Sequence, residues 1–125
     1  MYELDKPLNL KRNKFEKLCV PTMEGFNLIE LGTITYMQAD NAYTLIYLNN
    51  NEKIISTKNL GFYENVLSQE PFLRIHNSFI VNMKKVIKYI KGDEGYVVLE
   101  NKKIIKVSRS RKEELFNFFN ISGEF

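Results

Sequence analysis

Cysteine, histidine and tryptophan are nearly missing from this 125-residue chain, which has one cysteine, one histidine and no tryptophan. A single cysteine excludes an internal disulfide. Cys19 and His76 alone cannot supply the nitrogen and sulfur ligands of a structural zinc site, so no metal is expected, and nothing calls for a cofactor. Cys19 stands between Leu18 and Val20, which predicts a buried, inert thiol. Long hydrophobic runs are missing too. Phe79-Ile80-Val81 and Tyr96-Val97-Val98-Leu99 fall far short of the roughly 18 residues that a membrane-spanning helix needs, so no membrane partner is expected. The start, Met1-Tyr2-Glu3-Leu4-Asp5-Lys6-Pro7, has no basic, apolar and small-residue signature of a secretory leader, and the expected location is cytoplasmic.

Catalytic signatures are equally scarce. There is no P-loop, no GxGxxG and no HExxH, and the one Gly-x-x-Gly, Gly92 to Gly95, reads as a hairpin turn whose Asp93-Glu94 pair opposes phosphate binding. His76 is the only imidazole that could serve as a base, and no neighbouring carboxylate orients it. No catalytic residue is assigned, and the chain is not expected to be an enzyme.

What is present is an ordinary globular composition, 44% hydrophobic and 26% charged, in a length that suits one domain. The charge is unevenly spread. Between Pro71 and Lys112 eleven basic residues face three acidic ones, a local +8, so the overall +3 leaves −5 for the rest. A surface built to meet a polyanion has this asymmetry, because each phosphate neutralised releases counterions. A solvated lysine-rich face has it as well.

Residues Met1 to Lys17 read as a linker or arm with a short helical turn over Lys14–Leu18, and residues 121–125 read as a tail. Between them lie short apolar or alternating runs: Leu18–Met23, Phe26–Leu31, Ile34–Ala39, Tyr43–Leu48, Lys53–Thr57, Ile80–Val81, Val86–Lys91, Tyr96–Leu99 and Lys103–Val107. Period-two alternation makes both faces of Tyr43–Leu48 largely apolar, so that strand is expected to be covered on both sides. Asn49-Asn50-Asn51, Gly92–Gly95 and Asn101-Lys102 each close a hairpin. Asn59–Ser68 has helical spacing in Leu60, Tyr63, Val66 and Leu67, with Gly61 its weak point. Ser110-Arg111-Lys112-Glu113 has the form of a capping box opening a second helix through Leu115, Phe116, Phe118 and Phe119. The expected fold is mainly β, with several small antiparallel sheets stacked around one core and one or two short helices.

Two polar clusters remain. In Phe72–Asn82 the residues Arg74, His76, Asn77 and Ser78 lie between apolar anchors, with Arg74 and His76 on one face if the stretch is extended. Arginine and asparagine can bridge acceptors on base edges, and serine can hold a phosphate. The same residues also describe a turn, with His76 bonded to backbone and Asn82 as a turn residue. In Lys106–Lys112 the cations Arg109, Arg111 and Lys112 sit at a helix start, where they oppose the helix dipole and would be relieved by an anion. The aromatic rings, including Phe72, Phe79, Tyr89 and Phe116, mostly fall at periodic apolar positions and are expected in the core rather than stacked on bases.

Three blocks then resemble one family. Ile34–Thr44 (ITYMQADNAYT), Phe72–Asn82 (FLRIHNSFIVN) and Ile105–Arg109 (IKVSR) are similar in order and spacing to the LytTR DNA-binding domain, over residues 18–120. The resemblance implies an elongated stack of β-sheets and a bacterial transcription regulator, commonly the output domain of a two-component response regulator. It also implies that loops enter successive major grooves of double-stranded DNA at direct repeats, with a second copy bound alongside. A receiver or other signalling domain would lie outside this chain. Carried over by residue, Asn41, Ala42 and Tyr43 match the first reading loop, His76, Asn77 and Ser78 the second, and Ser108, Arg109, Ser110, Arg111 and Lys112 the third. Ala42 has no base-reading group, which leaves Asn41 or Tyr43. Ser110 stands where many members carry a second arginine, so both Arg109 and Arg111 stand as base readers. Arg74, Lys84, Lys85 and Lys112 are expected on the phosphate backbone, with Asn77 and one of the two arginines on bases. The alternative is a β-rich protein-interaction module with a basic face; a single-stranded RNA binder is a third reading.

Overall fold

In a computed structural model the chain is described over residues 16–68 and 71–121. Among the described residues ten strands form three antiparallel sheets. The first is the hairpin of β1 (Lys17–Thr22) and β2 (Gly25–Glu30). The second has the order β5-β4-β3-β7-β6, from β3 (Ile34–Asp40), β4 (Tyr43–Leu48), β5 (Lys53–Ser56), β6 (Phe72–His76) and β7 (Phe79–Asn82). The third has the order β10-β9-β8, from β8 (Val86–Ile90), β9 (Gly95–Leu99) and β10 (Ile104–Val107). Helix α1 (Leu60–Val66) crosses between β5 and β6, and α2 (Lys112–Phe118) follows β10 through a 3-10 turn at Arg109–Arg111. No helix among the described residues is long and apolar enough to cross a membrane.

The five-stranded sheet is the middle layer, and this follows from strands that are apolar on both faces. Ile34, Met37, Ile46 and Ile80 turn toward the first hairpin and α1, where they meet Leu18, Val20, Leu60 and Tyr63. Tyr36, Ile75 and Val81 turn the other way, toward Val97, Leu99, Ile105, Val107 and Leu115 of the third sheet and α2. Each buried Ile or Leu contributes about 1.5–3 kcal/mol, so both interfaces are needed to hold so short a set of strands. Asn82, 2% exposed, ties the layer together: its Nδ2 donates to the Ile34 carbonyl at 2.9 Å and its Oδ1 accepts from Lys84 N at 3.0 Å.

The three expected hairpins form, with Asn51 at φ 68°, Lys102 at φ 75° and Gly92 at φ 152° taking the left-handed positions. Helix α1 also forms, capped by Asn59 Oδ1, which accepts from Phe62 N at 2.9 Å.

Several expectations are corrected. Glu16 to Leu18 are not helical, since Lys17 opens β1, and the rest of the expected arm, residues 1–15, lies outside the described residues, as do residues 122–125 of the expected tail. Cys19 is exposed, because the short β1–β2 sheet is covered on one face only and the alternation that buries Leu18 and Val20 turns Cys19 outward. In β4, Thr44, Ile46 and Leu48 are buried, but Tyr43 remains 44% exposed and Leu45 and Tyr47 are half-buried, so one face is only partly covered. Strand β6, absent from the expected set, comprises Phe72–His76, the segment treated above as a polar cluster.

The capping box does not form. Helix α2 begins at Lys112 with Arg111 as its cap residue and no side-chain cap bond, while Ser110 lies inside the preceding 3-10 turn. Glu113 and Glu114 occupy the first turn of α2 and complement its dipole, which offsets part of the cost of the cations Arg109, Arg111 and Lys112 there.

Candidate nucleic-acid interface

Two backbone hydrogen bonds gather the three candidate loops at one edge of the middle sheet. Ala39 N donates to Ser78 O at 2.9 Å, which joins the β3–β4 turn to the β6–β7 turn. Ser108 N donates to Ile75 O at 2.8 Å, which joins the β6–β7 region to the segment after β10. In the first turn Asn41 adopts φ 56°, a left-handed conformation that asparagine tolerates, and Asn41, Ala42 and Tyr43 are all exposed.

A bulge shapes the second loop. Between β6 and β7 the register moves from Arg74↔Ile80 to His76↔Phe79, leaving Ile75 as the extra residue, fully buried in the core. The bulge breaks the alternation that would have put Arg74 and His76 on one face. Arg74 turns to α1, where its Nη1 meets Glu64 Oε1 at 2.7 Å, while His76 lines a cleft on the other side. Arg74 also donates to the carbonyls of His76, at 3.4 Å, and Asn77, so it clamps the turn from within. His76 is a turn histidine as well: its Nδ1 accepts from Ser78 N at 3.0 Å, which leaves Nε2 as the donor in the neutral ring. Asn77 is exposed at the apex.

The third loop separates the two arginines. Arg111, 27% exposed, points back to Glu64, Nη1 to Oε2 at 3.4 Å. Arg109 is exposed and, although its carbonyl accepts from Lys112 N, its side chain makes no hydrogen bond or ion pair among the described residues. It lines an open cleft of about 370 Å³ together with His76, Ser108, Lys112, Asp93 and Glu94. The acidic pair comes from the tip of the β8–β9 hairpin. Glu94 receives Lys106 Nζ at 3.2 Å and the Tyr96 hydroxyl at 3.0 Å. The Lys106 bond, followed by the one from Tyr96, holds the Glu94 carboxyl below its usual range, and the same contact pushes the Tyr96 hydroxyl up. Pinned by Glu94, Lys106 is the less available of the cleft cations.

Of the expected residues, Asn41, Tyr43, His76, Asn77, Ser78, Ser108, Arg109, Ser110, Arg111 and Lys112 belong to loops joined at this edge. Lys84 and Lys85 do not: they follow Asn82 in a 3-10 turn at the far end of β7, beside Pro71, whose carbonyl accepts from Met83 N at 2.8 Å. Three acidic participants are not assigned to the site by the sequence. Glu64 lies 10 residues from Arg74 and 47 from Arg111, so no local pattern connects them. Asp93 and Glu94 read in the sequence as a hairpin turn that opposes phosphate binding, and the pairing of Gly95 with Val107 is what carries them to the cleft.

Comparison with known proteins is consistent across sequence and structure. The sequence model of the LytTr DNA-binding domain matches residues 24–120. The chain is 30% identical over 112 residues to the sensory transduction protein LytT of Oceanobacillus iheyensis, an alignment covering 86% of this chain and 46% of that protein. It is 33% identical over 91 residues to the heme-containing CO-sensing transcriptional regulator RcoM 2 of Paraburkholderia xenovorans, covering 70% and 34%. The chain thus spans less than half the length of these relatives. Among solved structures, a LytTr DNA-binding domain from Bacillus cereus superposes with a TM-score of 0.72 at 19% identity, over 84% of this chain and 97% of that one, a likeness of fold.

Proposed function

This chain belongs to the LytTr DNA-binding domain family, and from that premise we propose that it binds double-stranded DNA sequence-specifically to regulate transcription. The observation that carries the proposal is Arg109, whose exposed side chain is unengaged among the described residues at the edge where three loops meet. An arginine without an internal partner can present its fork to the O6 and N7 of a guanine. Asn77 at the apex of the neighbouring turn offers an amide to a second base position, and Asn41 or Tyr43 a third. Lys112 and the hydroxyls of Ser108 and Ser110 suit phosphates. Arg74 acts by shaping the second loop, and Lys84 and Lys85 contribute long-range charge or contacts to flanking phosphates.

The reading unit is taken as residues 18–120. Loops spaced along one edge suit successive grooves, and two copies on direct repeats about one helical turn apart would extend the contact. The relatives, one a sensory transduction protein and one a transcriptional regulator, support an output role joined to a sensing or receiver part. A cytoplasmic location accords with such a role. No reaction and no cofactor enters the proposal.

The test is selection from a randomised duplex pool, with the bound fraction sequenced at two salt concentrations. A short motif enriched at both supports the proposal. Retention of all sequences alike, lost at the higher salt, refutes it.

A further inference from the structure

Among the described residues Glu64 is the one carboxylate that pairs with both Arg74, whose guanidinium holds the second loop, and Arg111 of the third, and we infer that it is the positioning residue that fixes the second and third reading loops relative to each other. The inference rests on the DNA-reading role proposed above. Its two oxygens are divided: Oε1 takes Arg74 at 2.7 Å and Oε2 takes Arg111 at 3.4 Å. Arg74 is only 18% exposed, so it needs a counter-charge where it lies. Held by Glu64, its remaining nitrogens reach the carbonyls of His76 and Asn77 and set the turn that presents the Asn77 side chain. Arg111 belongs to the 3-10 turn that also presents Arg109, and its tie to the same carboxylate fixes that turn against α1. One rigid, short helix thereby sets the distance between two base-reading side chains, and pre-set geometry is what separates specific from non-specific binding.

Glu64 is also a negative charge, 40% exposed, beside a surface proposed to meet phosphates. Removing it therefore has two opposed effects on DNA. Generic attraction rises because a repulsive charge is gone, while binding to the cognate site falls because the loops lose their spacing. A residue that merely stabilised the fold would move both affinities together.

The experiment uses Glu64→Gln, which keeps the shape, and Glu64→Ala, on the protein as it stands. Amide exchange in the free protein is read at Ser78, Ser108 and Arg111, whose N–H groups hold the loops, against the ladder amides of β3 and β4. Binding is read on the selected duplex and on a scrambled one. The expected result for Glu64→Gln is loop exchange faster by about tenfold with β3 and β4 unchanged. Cognate affinity should fall about tenfold, the scale of one charge-assisted bond, with scrambled-duplex affinity unchanged or higher. Unchanged loop exchange overturns the positioning role whatever the DNA does. Faster loop exchange with parallel changes on both duplexes overturns its part in readout. A wild-type protein that fails to discriminate the duplexes overturns the DNA-reading proposal, while the exchange data still decide whether Glu64 spaces the loops. Should Glu64→Ala fail to fold, Glu64→Gln carries the test alone.

Discussion

Replacing Arg109 and Arg111 by alanine, one at a time, should give two different kinds of loss. Both are arginines of the same 3-10 turn, two residues apart, and the sequence alone treats them as equals. The structure does not, because Glu64 already engages Arg111 and nothing among the described residues engages Arg109. A bidentate contact to guanine is worth about 1–3 kcal/mol of discrimination, so Arg109→Ala should weaken the cognate site by roughly 5- to 150-fold and leave a scrambled duplex nearly unaffected. Arg111→Ala should remove at most one phosphate contact together with the tie to Glu64: affinity falls on both duplexes, further on the cognate one by no more than the tenfold expected of Glu64→Gln, and the salt dependence becomes shallower by about one ion. Losing the half-exposed pair with Glu64 should cost stability no more than about 1 kcal/mol. Fluorescence anisotropy on labelled duplexes at several salt concentrations separates the two patterns. If Arg111→Ala abolishes discrimination and Arg109→Ala lowers both affinities alike, the reasoning from side-chain engagement is wrong.

Three further predictions concern the scaffold. Asn82→Ala should destabilise by about 2 kcal/mol in a urea titration, because the buried Ile34 carbonyl and Lys84 amide lose their partner; a change under about 0.5 kcal/mol would contradict the role given to Asn82. Burial first, and the neighbouring Tyr47 second, push the Tyr36 hydroxyl up to about 12, while the unfolded chain ionises it near its usual value of about 10. The contribution of Tyr36 is therefore full below about pH 10 and lost as pH rises toward 12, and Tyr36→Phe should flatten stability over that window; identical slopes would refute the assignment. A Cβ on Gly95 would collide with the Tyr89 ring, so Gly95→Ala should lower Tm through displacement of that ring, with Phe116 losing its edge contact at 5.4 Å. An unchanged Tm and near-ultraviolet spectrum would argue against that packing.

Much of the fold was legible because its cues are local. Asn59 and the spacing of Leu60, Tyr63 and Leu67 mark α1, and asparagine or glycine marks each hairpin turn. What escaped depended on tertiary context. Strand β6 was hidden because Arg74 and His76 break its apolar pattern, and only pairing with β7, bulge included, makes it a strand. The outward face of Cys19 follows from β1–β2 being a sheet with one covered side, which no property of Leu18-Cys19-Val20 encodes. Ser110 and Glu113 satisfied a capping pattern, yet the 3-10 turn at Arg109–Arg111 moved the helix start past the serine. The candidate interface residues are named from their types and from a resemblance. Their division into free and engaged cations is not, because Glu64 acts across 10 and 47 residues.

The central claim, that this edge reads double-stranded DNA by sequence, is tested most directly by competition anisotropy. A labelled duplex carrying the selected motif is displaced by the same motif unlabelled, by its scrambled duplex and by its single strand, at two salt concentrations. The account predicts displacement by the intact duplex at least about 10³-fold more readily than by the scrambled one, retained at the higher salt. Equal displacement by all three, with binding gone at the higher salt, would contradict it and leave only a basic surface suited to an acidic protein.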